Sequence, residues 1–176
     1  MKLRLTAYCA LVGVFAACGH SRPEKKGPAD SGILPRFSGT LKLPPKDLRK
    51  KKYNVFYSFN GECSSCVVPL LDFLNRSREG KGPAADSTAY HFFVLGRDTV
   101  LVKYYLNRYK MQLSANQYLV TDKERAIEKL NPGILVTDAT NVILTDGADN
   151  ILAVENPFSS QPSMQVYDSI GIFHVK

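Results

Sequence analysis

Two cysteines separated by two serines, Cys63-Ser64-Ser65-Cys66, form the part of the chain best suited to chemistry. A thiolate at an exposed turn is a strong nucleophile and a good metal ligand, so the pair can exchange disulfides or bind a metal. The serine hydroxyls can donate hydrogen bonds to a thiolate and thereby lower the pKa of the thiol. The motif therefore indicates a reactive site centred on Cys63 and Cys66.

The cysteine pair lies between a strand-like segment and a helix-like segment. Residues Tyr53 to Phe59 alternate aromatic or β-branched residues with polar ones and end at an Asn-Gly turn. After Cys66, apolar residues recur at helical spacing: Val67, Leu70, Leu71 and Leu74. The pattern places the pair at a helix N-terminus, where free N–H groups and the helix dipole favour a thiolate.

The N-terminus predicts export and lipid attachment. Lys2 and Arg4 precede an apolar run from Leu5 to Ala17, which is typical of a secretory signal and too short to span a bilayer. The ending Phe-Ala-Ala-Cys18 resembles the lipobox of bacterial lipoproteins, in which the cysteine becomes the lipid-carrying N-terminus. We expect a signal peptide over residues 1–17 and lipidation of Cys18. The alternative is an ordinary cleaved signal with Cys18 incidental.

The number of cysteines in the chain limits the roles that Cys63 and Cys66 can have. The chain has 4 cysteines, and Cys9 leaves with the signal while Cys18 carries lipid, so only Cys63 and Cys66 remain. In an oxidising compartment they form a structural disulfide, a redox couple or half of a metal site. A disulfide between Cys63 and Cys66 would stabilise the folded state only weakly, because it closes a very short loop and restricts the unfolded chain little. A metal site needs further ligands, and no histidine spacing motif supplies them, so we expect no metal and no cofactor.

Length and charge point to one tethered domain. A chain of 176 residues favours a single domain, and its net charge of +7 is spread without a nucleic-acid motif, so no nucleic-acid partner is expected. Residues 18–52 are rich in Pro, Gly and Lys and predict a flexible tether, in which Arg36 to Leu43 has the alternation of a short edge strand. Residues 53–176 form the predicted domain.

The rest of the chain alternates strand and helix patterns, which predicts an α/β layer fold. The predicted elements are a strand at Tyr90 to Leu95, a helix at Thr99 to Lys110, a strand at Tyr118 to Val120, a helix at Lys123 to Leu130 and strands at 133–137, 142–145 and 151–154. Asp98 and Asp122 are predicted helix caps. The C-terminal segment fits helix or strand, and the helix is favoured.

This order of elements, with Cys-x-x-Cys opening the first helix, resembles the thioredoxin-like fold of TlpA-type envelope proteins over roughly residues 53–154. The resemblance implies a three-layer α/β/α sandwich with a central mixed sheet. It also implies that Cys63 attacks, that Cys66 resolves, and that Pro132 is a cis-proline packed against the pair. The chain departs from the family at Glu62, where Trp is usual, and at Tyr57, where an acid is common. Glu62 is expected to oppose thiolate formation at Cys63.

The sequence thus predicts a lipid-anchored thiol-disulfide oxidoreductase of the bacterial envelope, facing the periplasm or the exterior. Its redox partners would be thiols and disulfides of proteins or small molecules. It would also contact the membrane through its lipid anchor. The alternative is a non-catalytic thioredoxin-like lipoprotein that serves as a binding or assembly module, with Cys63 and Cys66 in a structural disulfide.

Overall fold

The computed structural model describes residues 39–136 and 139–174; the predicted signal peptide and Cys18 lie outside them. The strands are β1 Tyr53–Asn60, β2 Thr88–Leu95, β3 Gln117–Asp122, β4 Asn141–Asp146 and β5 Ile151–Val154. The helices are α1 Ser64–Glu79, α2 Val100–Arg108, α3 Ala126–Leu130 and α4 Gln161–Ile170. None of the helices in these ranges combines the length and the hydropathy that crossing a bilayer requires.

The strands of the described residues form one mixed sheet in the order β3-β2-β1-β4-β5. β1, β2 and β3 run parallel, β4 is antiparallel to β1, and β5 is antiparallel to β4. β2 is buried along its whole length, as its nearly continuous apolar sequence predicts for a central parallel strand. The α/β class and the central mixed sheet are confirmed.

Apolar residues cover both faces of the sheet. On one face, Val55, Tyr57 and Phe59 of β1 pack in a core with residues of α1, α2 and α4. On the other face, Phe56 and Phe93 share a smaller core with Ile127 of α3 and with Leu41. The molecule therefore has helices on both sides of the sheet, and the thinner layer combines the short α3 with an extended segment.

The extended segment comes from the region predicted as a tether. Thr40 forms a single antiparallel bridge with Asn150, and the Leu41 N–H donates to the Asp149 carbonyl at 2.9 Å. Leu41 is only 2% exposed. The described part of the predicted edge strand thus lies along the β4–β5 end of the sheet, with one bridge in place of a full strand.

The strand predicted at 133–137 is wrong over its described residues, 133–136. Gly133 has a φ of +82°, and the N–H groups of Ile134 and Leu135 both donate to the Asn131 carbonyl, so the chain turns back on the end of α3. The hairpin instead joins β4 to β5. At the C-terminus the favoured helix is confirmed: α4 begins after Ser160, whose side chain accepts the Ser163 N–H, and ends at Gly171.

Candidate active site at the start of helix α1

Cys63 is the N-cap of α1. Its backbone is extended, with φ −114° and ψ 117°, and its carbonyl accepts the N–H groups of Cys66 at 3.0 Å and Val67 at 3.2 Å. Cys66 lies in the first turn of the helix. Both residues are half-buried free thiols. The structure therefore places the two predicted cysteines together at the C-terminal end of the central strand β1.

Hydrogen bonds lower the pKa of Cys63 to about 7, from an ordinary value of 9.0. The largest contribution is the hydrogen bond with the Cys66 side chain, followed by that with Ser65, whose Oγ lies 2.9 Å from the Cys63 Sγ. The backbone N–H groups of Cys66 and Ser65 add to the effect. The structure assigns the predicted serine hydrogen bond to Ser65.

The pKa of Cys66 moves the other way. Burial raises it first, and the hydrogen bond and the charge of Cys63 raise it further. Of the two thiols, Cys63 therefore loses its proton first as the pH rises. The two thiols therefore differ in acidity, and Cys63 forms a thiolate more readily than Cys66.

Tyr57 lies in the core on the α1 side of the sheet and is fully buried. Its pKa lies far above the ordinary value because of burial first, then the charges of Asp72 and Cys66, with a contact from the Thr140 side chain opposing. No partner among the described residues meets hydrogen-bond geometry with its hydroxyl, so Thr140 is a neighbour of Tyr57 and not a bonded partner. Tyr57 stays protonated and cannot act as a base.

The start of β4 lies beside the C-terminal end of β1, because β4 is antiparallel to β1 and Asn141 stands opposite Ser58. The Asn141 amide donates to the Val136 carbonyl at 2.9 Å and accepts the Val136 N–H at 2.8 Å. This side chain holds the preceding loop at the end of β1. Thr140, the residue directly before β4, and Asn141 were missed by the sequence interpretation.

Pro132 lacks the cis peptide bond predicted for it. The described residues contain no cis peptide bond, so the Asn131–Pro132 bond is trans and that prediction is wrong. Pro132 precedes a turn instead of a strand, and it lines an open cleft with Arg125, Glu128, Lys129, Gly133 and Leu135. The error follows from taking 133–137 as the first strand of the hairpin, which begins at Asn141.

The Glu62 carboxylate turns towards the loop after β2, where it accepts the Arg97 N–H at 2.9 Å. The groups that set the pKa of Cys63 are the hydrogen-bonding partners given above, and the expected opposition by Glu62 is not among them. No local pattern signals this contact, since it joins residues 35 positions apart.

The two described histidines serve structural roles. His91 is fully buried and stacks between the rings of Phe56 and Tyr118, and burial is the first cause that lowers its pKa to about 4. His174 pairs with Asp168 at 3.2 Å. Among the described residues no three His, Cys, Asp or Glu side chains are grouped as a metal site would require.

The mixed sheet and the helix that opens on Cys-x-x-Cys define the class: the chain has a thioredoxin-like α/β fold. No protein-family model and no curated protein sequence matches the chain.

Solved structures similar to the chain include a putative thioredoxin from Neisseria meningitidis, with 13% identity, TM-score 0.47, and coverage of 69% of this chain and 73% of that one. A thioredoxin-like protein from Aeropyrum pernix gives 14% identity and TM-score 0.48 over 68% of this chain and 78% of that one. A putative thiol-disulfide oxidoreductase from Bacteroides vulgatus gives 14% identity and TM-score 0.48, with coverage of 69% of this chain and 75% of that one. At these identities no activity follows from the likeness.

Proposed function

We propose that the protein is a thiol-disulfide oxidoreductase of the bacterial envelope, in which Cys63 attacks and Cys66 resolves. The observation that carries the proposal is the placement of Cys63 at the N-cap of α1, with the Ser65 Oγ 2.9 Å from its sulfur and Cys66 one turn further on. A half-exposed thiol with a pKa of about 7 is a thiolate in good part at neutral pH.

The exchange proceeds in two steps. The Cys63 thiolate attacks one sulfur of a partner disulfide, forms a mixed disulfide and releases the other sulfur as a thiolate. The Cys66 thiolate then attacks the Cys63 sulfur, the Cys63–partner bond breaks, and the second partner thiolate leaves. The partner gains two electrons, and the protein is left with a Cys63–Cys66 disulfide; the reverse sequence oxidises a dithiol.

The second step requires Cys66 to lose a proton. The hydrogen bond and the charge of Cys63 help to raise the pKa of Cys66, and both disappear once Cys63 is in the mixed disulfide. The pKa of Cys66 therefore falls at the moment when its thiolate is needed. The departing partner thiolate or solvent takes the proton, because Tyr57 is already protonated.

Envelope location and lipid anchoring extend the proposal. Envelope location is supported by the N-terminal pattern of Lys2 and Arg4 followed by apolar residues. Lipid anchoring is supported by the Ala-Ala-Cys18 ending of that pattern. Among the similar structures is a secreted disulfide oxidoreductase from Mycobacterium tuberculosis, with 10% identity and TM-score 0.46. Incorporation of labelled palmitate that is lost in Cys18→Ala would support the anchor, and unchanged labelling would refute it.

Trapping tests the exchange. With Cys66→Ser the mixed disulfide cannot be resolved, so partners should accumulate on Cys63 and be released by reductant. Cys63→Ser is the matched control, which removes the attacking thiol and should trap nothing. Equal trapping by the two variants, or none by either, would favour the alternative of a binding module with a structural disulfide.

A further inference from the structure

The short connection that carries Cys63 is joined to the loop after β2. The Gly61 N–H donates to the Leu95 carbonyl at 2.9 Å, and the Glu62 Oε1 accepts the Arg97 N–H at 2.9 Å. The Glu62 N–H itself donates to the Asn60 side chain at 2.9 Å. The residue before Cys63 is thus fixed through both its backbone and its side chain.

Gly96 leaves the space in which the Glu62 side chain lies. Its φ is +133°, and a Cβ at this position would stand 3.0 Å from the Glu62 Cγ and 3.1 Å from its Oε1. These distances are closer than ordinary van der Waals contact. Although Glu62 is exposed, its side chain packs on the backbone of the neighbouring loop, and one carboxylate oxygen is engaged.

We infer that Glu62 is a positioning residue for Cys63. Only Gly61 and Glu62 separate the end of β1 from the N-cap of α1, so the bond from Glu62 to Arg97 limits how far Cys63 can move. The contact between the Cys63 sulfur and the Ser65 hydroxyl needs a defined N-cap geometry, and that geometry keeps the thiolate stable. The inference rests on the proposed function in that it concerns the attacking thiol.

The pH dependence of Cys63 alkylation by iodoacetamide, measured on the reduced full chain, tests the inference. Glu62→Ala removes the acceptor and should raise the apparent pKa of Cys63, which lowers the alkylation rate at pH 7 by about three- to tenfold. Glu62→Gln keeps a carbonyl oxygen that can accept the Arg97 N–H and should retain the wild-type profile to within about twofold. Glu79→Ala, an exposed glutamate at the far end of α1, is the control.

The outcomes separate hydrogen bonding from charge. The inference would be overturned if Glu62→Ala and Glu62→Gln lowered the Cys63 alkylation rate at pH 7 equally. It would also be overturned if Glu62→Ala left that rate unchanged. Faster alkylation in both variants would also overturn it, because it would mean that the Glu62 charge opposes the thiolate. The alkylation profile requires no disulfide partner, so this result is independent of whether wild-type protein performs exchange.

A second pair of variants tests the same contact from the other side. Gly96→Ala places a methyl group against Glu62 and should slow Cys63 alkylation as Glu62→Ala does, whereas Gly133→Ala introduces a similar positive-φ strain with no atom within 4 Å of the new Cβ. Combining Gly96→Ala with Glu62→Ala should add little further slowing. Fully additive effects would show that Gly96 acts without Glu62 and would contradict the inference.

Discussion

Cys63 and Cys66 are three residues apart, yet the structure gives their thiols opposite acidities. Cys63 is stabilised as a thiolate by hydrogen bonds, whereas Cys66 is held protonated by burial and by Cys63 itself. The asymmetry supports the proposed order of exchange, in which Cys63 attacks and Cys66 resolves. The hydrogen bonds that contribute to it lie within the first turn of α1.

The pKa of Cys63 predicts the pH dependence of the reduced protein. Because the thiolate forms as pH rises through about 7, the alkylation rate should fall nearly tenfold per pH unit well below 7 and level off above about 8. Stopped-flow or mass-spectrometric alkylation from pH 5 to 9 measures it. A midpoint near the ordinary thiol value of 9.0 would contradict the hydrogen-bonded geometry.

Ser65→Ala should raise the pKa of Cys63 by up to about one unit, because the variant removes one of the hydrogen bonds that stabilise the thiolate. The alkylation rate at pH 7 should fall by several-fold. Ser64→Ala, at the exposed neighbouring position, is the matched control and should leave the profile unchanged. Equal effects of the two substitutions would argue against a specific Ser65 contact.

At this scale the sequence predicted the placement of the two cysteines at a helix start better than it predicted their surroundings. Cys63, Cys66 and a serine hydrogen bond follow from local spacing at a helix start. The Glu62–Arg97 bond and the position of Thr140 depend on how strands pair, which spacing does not reveal. Pro132 was assigned from its position in a pattern, and the turn at Gly133 moved the real strand start to Asn141.

The connection between β1 and α1 is the element on which the site depends. Gly61 is buried there, and a Cβ at this position would lie 2.2 Å from the Val94 Cγ1, so any larger residue would have to move the Val94 side chain. Bringing the ends of two parallel strands this close lets the loops after them hydrogen bond. The position of Cys63 is therefore linked to the packing of β1 on β2.

Gly61→Ala should lower the free energy of unfolding by about 1–3 kcal/mol through overpacking against Val94. Gly39→Ala is the control, since its Cβ would make an ordinary contact of 3.8 Å with Ile151, and it should cost less than about 1 kcal/mol. Urea unfolding of both variants supplies the comparison. If Gly61→Ala were as stable as Gly39→Ala, the Val94 side chain would have moved aside with no loss in the free energy of unfolding.

Strand and helix patterns were sufficient for most elements because β2 is mainly apolar, β1 alternates apolar with polar residues, and apolar residues recur at helical spacing in α1. The Asp122 carboxylate accepts the N–H groups of Ala126 and Ile127, but α3 begins at Ala126, later than the predicted Lys123, and its N-cap residue is Arg125. The strand prediction at 133–137 failed because Ile134, Leu135 and Val136 have the composition of a strand but follow a positive-φ glycine that turns the chain back.

The described part of the predicted tether adds to the fold of the whole molecule. Leu41 fills the smaller core against the sheet, and Leu43 and Leu48 pack beside it. A composition rich in Pro, Lys and Gly predicted a flexible segment, since composition does not show that a few leucines find a sheet face left open by the short α3.

Leu41→Ala should therefore destabilise the full chain by about 2–4 kcal/mol, because it opens a cavity in that core. Leu152→Ala is the control: Leu152 is 37% exposed, and its loss should cost about 1 kcal/mol or less. Thermal or urea unfolding followed by circular dichroism measures both. A Leu41→Ala protein as stable as wild type would mean that the segment does not pack on the sheet.

The midpoint potential of the Cys63–Cys66 pair, measured by equilibration in thiol–disulfide buffers, tests the redox proposal most directly. A catalytic pair is expected to titrate reversibly at a potential above about −300 mV, because the lowered pKa of Cys63 stabilises the reduced form. A potential well below about −300 mV would identify a structural disulfide and contradict the proposed oxidoreductase.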